Sequence, residues 1–327
     1  MAEIGTQATG HQVVNETGAA DRGPDGDDRR LFALDVMAGQ LVAIDRGSGE
    51  LAVISNGLTD APDGVAVDIE TARAFVTQMG QPDRAARSGQ EPPFEQANGS
   101  LVSVDLITGE TKEIVGGGAF VTGKQLIRKP ADGQLFWADR EGCAIYRCEH
   151  DGSNVTPLIL TAGQGPTEAE EQCVGVAVDP LGGHLYWTQK GPSKAGKGRI
   201  LRAGLEIPEG ESAASRTDVE TIFSGLPEPI DLELDSDEGV LYWTDRGAGP
   251  QGNSLNRALM PAPGRSAGAP TVLAADFREA IGLALDLARG RAYVSDLSGD
   301  IHEVDLRRGT SRVLSTLEGA ATGIALA

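Results

Sequence analysis

A small set of polar residues in this chain has the types and the spacing for chemistry: Asp63, Lys124, Gln125, Gln172, Glu228, Asp231, Glu279 and Thr322. Each stands at or near the start of a short apolar run. Carboxylates grouped with a lysine can act as general acids and bases once burial shifts their pKa values. Asp63, Lys124 and Glu279 are the candidates for that work, and Gln172, Glu228, Asp231 and Thr322 would contact the substrate. The same carboxylates offer the oxygen ligands that Ca²⁺ or Mg²⁺ takes. The cofactor is left unknown, and no residue is assigned to a metal.

The elements that would position these residues form a repeat, and a repeat decides architecture before anything else. Six related segments carry the tetrapeptides FALD (32–35), FVTQ (75–78), FWAD (136–139), YWTQ (186–189), YWTD (242–245) and YVSD (293–296). Seven residues before the last five stand Asp68, Lys129, Asp179, Asp235 and Asp286. The fourth copy divides into four runs: CVGVAVD (173–179), HLYWTQ (184–189), RILRAGL (199–205) and VETIFS (219–224). Alternating and β-branched content predicts strands, and the Gly, Pro and Asp clusters between them predict turns. Six four-stranded antiparallel sheets predict an all-β, six-bladed β-propeller over residues 30–327, preceded by a disordered acidic tail at 1–29. The last residues, ATGIALA (321–327), match inner strands such as DGVAVD (63–68), and the first copy lacks that strand. The C-terminus is therefore expected to complete the N-terminal blade, closing the ring and removing two free edges.

Composition excludes several function classes. A net charge of −20 opposes binding to a phosphate backbone or to an acidic membrane surface. No run reaches the length of a membrane span, and no signal peptide is read at the N-terminus. The expectation is a cytoplasmic monomer with a small-molecule ligand. Cys143, Cys148 and Cys173 are odd in number and lack framework spacing, which argues for buried, inert thiols.

The tetrapeptides LYWTQ and LYWTD, with third strands AIYRCEHDGSN (144–154), RILRAG (199–204) and SLNRAL (254–259), resemble the YWTD propeller family typified by the low-density-lipoprotein receptor. The resemblance implies a structural, interblade role for Asp139, Asp245 and Asp296 and for Arg147, Arg202 and Arg257. Gln78 and Gln189 depart from the pattern. Six-bladed lactonases hold a divalent metal at the channel mouth, but their ligand pattern has no residue-by-residue match here.

In an up-and-down blade, the loops after strand 2 share one face with the links between blades. The long insertions 79–98, 190–198, 246–253 and 161–172 all fall on that face. Insertions beyond a minimal turn concentrate where function is, so this face is the expected working surface. Gln78, Gln189 and Lys190 lie beside it, as do the three aromatics outside repeat positions, Phe94, Phe120 and Phe277; all six are candidate substrate contacts. Segments 206–218 and 261–269, on the other face, read as solvent loops. His11, His150, His184 and His302 read as lying off the working face, leaving a Ser-His-Asp or His-metal mechanism without parts. The expected function is a soluble enzyme of acid-base lyase, isomerase or hydrolase type acting on a small organic molecule. The alternatives are a non-catalytic protein- or peptide-binding propeller, as in the receptors, and a metabolite sensor.

Overall fold

The computed structural model describes residues 29–84, 92–163, 165 and 168–327. The acidic tail expected at 1–29 lies, up to residue 28, outside them. Among the described residues, twenty-four strands form six four-stranded antiparallel sheets around a ring. Blade two is β4 (Pro62–Asp68), β5 (Arg73–Gln78), β6 (Ser100–Asp105) and β7 (Thr111–Val115). Blade three is β8 (Gly123–Arg128), β9 (Leu135–Asp139), β10 (Ala144–Cys148) and β11 (Thr156–Leu160). Blade four is β12 (Cys173–Asp179), β13 (His184–Gln189), β14 (Gly198–Gly204) and β15 (Glu220–Leu226). Blade five is β16 (Pro229–Asp235), β17 (Val240–Asp245), β18 (Ser254–Leu259) and β19 (Thr271–Ala274). Blade six is β20 (Ala280–Asp286), β21 (Arg291–Asp296), β22 (Asp300–Asp305) and β23 (Ser311–Thr316). Blade one joins β1 (Leu31–Asp35), β2 (Gln40–Ile44) and β3 (Leu51–Ser55) to β24 (Ala321–Leu326), which pairs with β1 from Leu31↔Leu326 to Asp35↔Ala321.

The inner strand of each blade slips register against the second strand, as between Pro62 and Val65 or Cys173 and Val176. Such a bulge leaves one N–H out of the ladder, and the third residue of the YWTD-type tetrapeptide takes it. The Gly64, Gly175, Asp231 and Gly282 amides donate to the hydroxyls of Thr77, Thr188, Thr244 and Ser295. Each of these hydroxyls then donates across the seam to the next blade's inner strand: Thr77 to the Lys124 carbonyl at 2.5 Å, Thr188 to Ile230 at 2.7 Å, Thr244 to Ile281 at 2.6 Å, and Ser295 to Thr322. Ala138 and Leu34 hold this position in blades three and one. Blade one compensates from its inner strand, where the Thr322 hydroxyl donates to the Pro62 carbonyl at 3.0 Å. The inner strands approach so closely that a Cβ on Gly64, Gly175, Gly282 or Gly323 would sit 2.3–2.5 Å from a neighbouring backbone atom.

Apolar side chains fill the space between blades, with Trp137, Trp187 and Trp243 fully buried. The third-strand arginines bind toward the next blade: Arg147 to Glu206 at 2.7 Å, Arg202 to the Pro261 carbonyl at 2.6 Å and Arg257 to the Leu306 carbonyl at 3.4 Å. The tetrapeptide aspartates work within a blade. Asp139 accepts from the Val121, Thr122 and Gly142 amides, and Asp245 from those of Glu228 and Gly247, clipping the link that leads into the blade onto its own second strand. One expected solvent loop is anchored instead. In 206–218, the buried Arg216 donates to the carbonyls of Leu158 and Gly204, and Ala213 accepts from the Leu160 amide, so the loop covers the outer edge of blade three.

The isosteric substitution Thr188→Val strands two buried backbone groups, the Gly175 amide and the Ile230 carbonyl. It is expected to cost roughly 2–4 kcal/mol, read as a lower urea midpoint with an unchanged m-value.

Candidate functional site

The loops after strand 2 and the interblade links share one face, and two polar groups form there. The Lys124 ammonium binds the Asp63 carboxylate at 2.5 Å, with side-chain exposures of 10% and 3%, and the Gln125 amide donates to the other Asp63 oxygen at 3.2 Å. Glu228, fully buried, accepts from Arg246 at 2.8 Å and from the Lys194 amide at 2.9 Å. Lys194 reaches on to Glu279 at 3.0 Å. Loop 190–197 of blade four thus meets the start of blade five, and its Lys194 side chain reaches the start of blade six. Beside it the inner strands contribute an apolar cluster of Val174, Ile230 and Ile281, with Leu297 packed against it.

The space in the channel lies lower. A cavity of about 340 Å³ runs from Gln125 and Asp231 down to Pro130, Pro180 and Leu287, at the short turns of the opposite face. Its waist is the ring Ala66, Ile127, Ala177, Glu233, Ala284 and Ala325, one residue from each inner strand. Asp231 and Glu233 are two apart on β16 and so face the same side. They stand where blades two, four, six and one carry Gly and Ala. Asp231 accepts from the Leu232 and Leu283 amides at 2.9 Å each. Burial, with the neighbouring Glu233 charge behind it, pushes its carboxyl well above the usual range. Burial pushes Glu233 up to about 7, and the surface it keeps faces the cavity rather than bulk water.

No family profile matches the chain. It is 38% identical over 316 residues to a low-density lipoprotein receptor-related protein 1 of Pyricularia oryzae, spanning 91% of this chain and 97% of that one. The chain belongs to the low-density-lipoprotein-receptor-related propeller family. It is also 35% identical over 319 residues to the 3-hydroxyacyl-CoA dehydrogenase-like protein LAM1 of Cochliobolus heterostrophus, spanning 91% of this chain and 64% of that protein. A human low-density lipoprotein receptor-related protein 5-like protein matches at 28% over 172 residues, 52% of this chain and 56% of that one. A chain in the crystal structure of a nidogen/laminin complex superposes with a TM-score of 0.69 at 16% identity, over 91% of this chain and 98% of that chain, a likeness of fold.

Within this receptor-related propeller, several expected substrate contacts do other work. Gln78 and Gln189 are 5% and 2% exposed and keep the clip position of the family's aspartate. Gln78 accepts from the Asp60 amide and donates to Ser100, and Gln189 donates to the Glu171 carbonyl. Phe94, Phe120 and Phe277 are 4%, 2% and 3% exposed. Phe120 packs on Trp137 at 5.4 Å and Phe277 on His302 at 4.8 Å, while Arg140 lies over Phe94. They are apolar rings under loops, removed from solvent by the loops themselves. Thr322 closes the blade one seam, Lys190 is buried with its ammonium on the Gly191 carbonyl, and Gln172 is half-buried. Asp231 belongs to the channel below the mouth.

His302 departs from its expected place. Its Nε2 is 2.9 Å from Asp296 at the long-loop end of β21, and the two lie with Asp300 so that their ligand-type atoms fall within 4.8 Å of one another. Asp296 already accepts from Arg278 and Ser298 there, which gives the group a clip role. The three thiols are buried, and burial pushes Cys143 and Cys148 up to about 12, leaving them unreactive at neutral pH. Glu233 is not among the residues expected at the site. Its signal was present: DLELD (231–235) stands where other blades read GVAVD or GLALD.

Two outcomes follow from these geometries. Asp63→Asn leaves Lys124 buried without its counterion and should cost roughly 3–5 kcal/mol, most of it recovered in Asp63→Leu/Lys124→Met; chemical denaturation of the parent chain and the two variants measures both. Glu233 keeps a proton when folded that the unfolded chain gives up between its ordinary 4.5 and about 7. Stability therefore falls as pH rises through that window. Glu233→Ala should raise stability at pH 8 by about 2–3 kcal/mol. It should also reduce the fall between pH 6 and 7, to which the raised Asp231 still contributes, while Asp245, raised by burial from 3.8 to about 6, supplies the lower part. Urea midpoints across pH check this.

Proposed function

We propose that this chain is a non-catalytic binding propeller that holds a protein or peptide segment on its long-loop face. The observation that carries the reading is the mutual neutralisation of the polar ring. General acid-base work needs a carboxyl free to take up and release a proton beside the substrate. Asp63 is held by Lys124 and Gln125, Glu228 by Arg246 and the Lys194 amide, and Glu279 by Lys194. A broad surface of loops over a closed mouth suits a macromolecular partner better than a deep, convergent pocket would. Relatives named as receptor-related proteins and a structural likeness in a nidogen/laminin complex agree with it.

The chemistry of the face points to an acidic segment. On a chain of net charge −20, Lys197 and Arg278 stand exposed on these loops, and Lys194, half-exposed, shares its charge with Glu279. Complementary charge of this kind sets partner choice and association rate. Panning a phage-displayed peptide library should select acidic peptides, and Lys194→Ala/Lys197→Ala/Arg278→Ala should weaken them about tenfold or more. Arg147→Ala, on the opposite face, should leave them unchanged. Selected peptides indifferent to the triple substitution would refute the assignment. So would a metabolite turnover that Asp63→Asn abolishes while the protein stays folded.

A further inference from the structure

The lower channel has a composition the binding face does not explain. Four of its six waist residues are Ala66, Ala177, Ala284 and Ala325, small side chains that leave the axis open. Opposite Ala66, from β16, the Glu233 carboxyl projects into that opening. Among the described residues no salt bridge is formed to it, and the Asp231 carboxyl is its charged neighbour. Asp231 stands one step above it on the same strand. Two of the cations near the lower opening are already neutralised: Arg128 binds Asp68 at 2.8 Å and Lys129 binds Asp132 at 2.7 Å.

We propose that this cavity is a binding site for a slender organic cation, with an alkylammonium head seated between Asp231 and Glu233 and its hydrocarbon chain along the apolar wall toward the short turns. The volume falls in the range of small-ligand pockets. The wall is mixed: valine, leucine and alanine side chains alternate with Gln125, Arg128, Lys129 and the two carboxyls. A carboxylate removed from water without a counterion is costly, and a bound ammonium offsets that cost directly. A hard metal ion is a poor fit, since Ca²⁺ wants six to eight oxygens and the wall around this carboxyl pair is alanine, valine and leucine. An anionic ligand would meet two carboxylates. The charged head and the apolar tail select the same molecule: a primary amine on a short, unbranched chain. The site is independent of the long-loop face, which lies at the other end of the axis.

The test is isothermal titration calorimetry of the whole chain at pH 8 with n-hexylammonium chloride, with sodium hexanoate and hexan-1-ol as controls. Saturable one-to-one binding of the ammonium, none of the hexanoate and at least tenfold weaker binding of the alcohol are expected. Glu233→Ala restores the residue that four other blades carry, so it should fold; it should weaken the ammonium at least tenfold. Asp231→Asn, a second variant that keeps the side chain's size, should do the same. At pH 6.5, titration in buffers of different ionisation enthalpy should show proton release as the ligand ionises Glu233. Absence of saturable binding overturns the proposal. Equal affinity for hexylammonium and hexan-1-ol, or an unchanged affinity in folded Glu233→Ala, does so as well. Peptide capture on the long-loop face should persist in both variants, so that failure of one reading is distinguishable from failure of the other.

Discussion

The ring is held by a hydroxyl group used twice. In four blades the Thr or Ser of the marker tetrapeptide accepts the amide that a bulge has pushed out of its own sheet and donates to a carbonyl of the next blade. The bulge and the seam are therefore one feature. Without the bulge, the inner strand would have no spare amide. Without the hydroxyl, the bulge would leave a buried donor unmatched, and the carbonyl across the seam would lose its partner. Close approach of the inner strands then requires glycine at the bulge, as at Gly64, Gly175, Gly282 and Gly323.

Where that glycine is replaced, something else fills the axis. Gln125 and Asp231 are the two replacements, on blades three and five. Gln125 turns to Asp63 at the mouth, and Asp231 accepts from the Leu283 amide of blade six, a second bridge across the seam that the Thr244 hydroxyl already spans. The upper and lower halves of the axis consequently differ in kind. The mouth is a set of paired charges crossed by loop 190–197, and the space below has a mixed lining that holds the Asp231 and Glu233 carboxyls.

The fold was readable in the sequence because the marker tetrapeptides carry both the strand alternation and the hydrogen-bonding residue at fixed positions. The closing role of 321–327 was readable for the same reason: ATGIALA repeats the inner-strand pattern. Third-strand arginines such as Arg202 held the interblade role their family resemblance implied, whereas Asp139 and Asp245 bind within a blade. Less was readable at the site. Sequence places Asp63 and Lys124 on neighbouring inner strands, but it does not say that they neutralise each other. Nor does it give the path of a loop, so the reach of Lys194 to Glu279 and the anchoring of Arg216 were invisible. Phe94, Phe120 and Phe277 misled because an aromatic outside a repeat position can equally be the small core beneath its own loop.

The pairing of Leu31 with Leu326 bears on biogenesis. As the chain leaves the ribosome, β1 to β3 emerge first and stand with the inner edge of β1 unpaired while the other five blades are translated. That edge presents LFALD, an apolar strand able to recruit any passing β-segment. A nascent propeller of this kind has a long interval of vulnerability to mispairing between neighbouring polysomal chains, ended only when the final strand arrives.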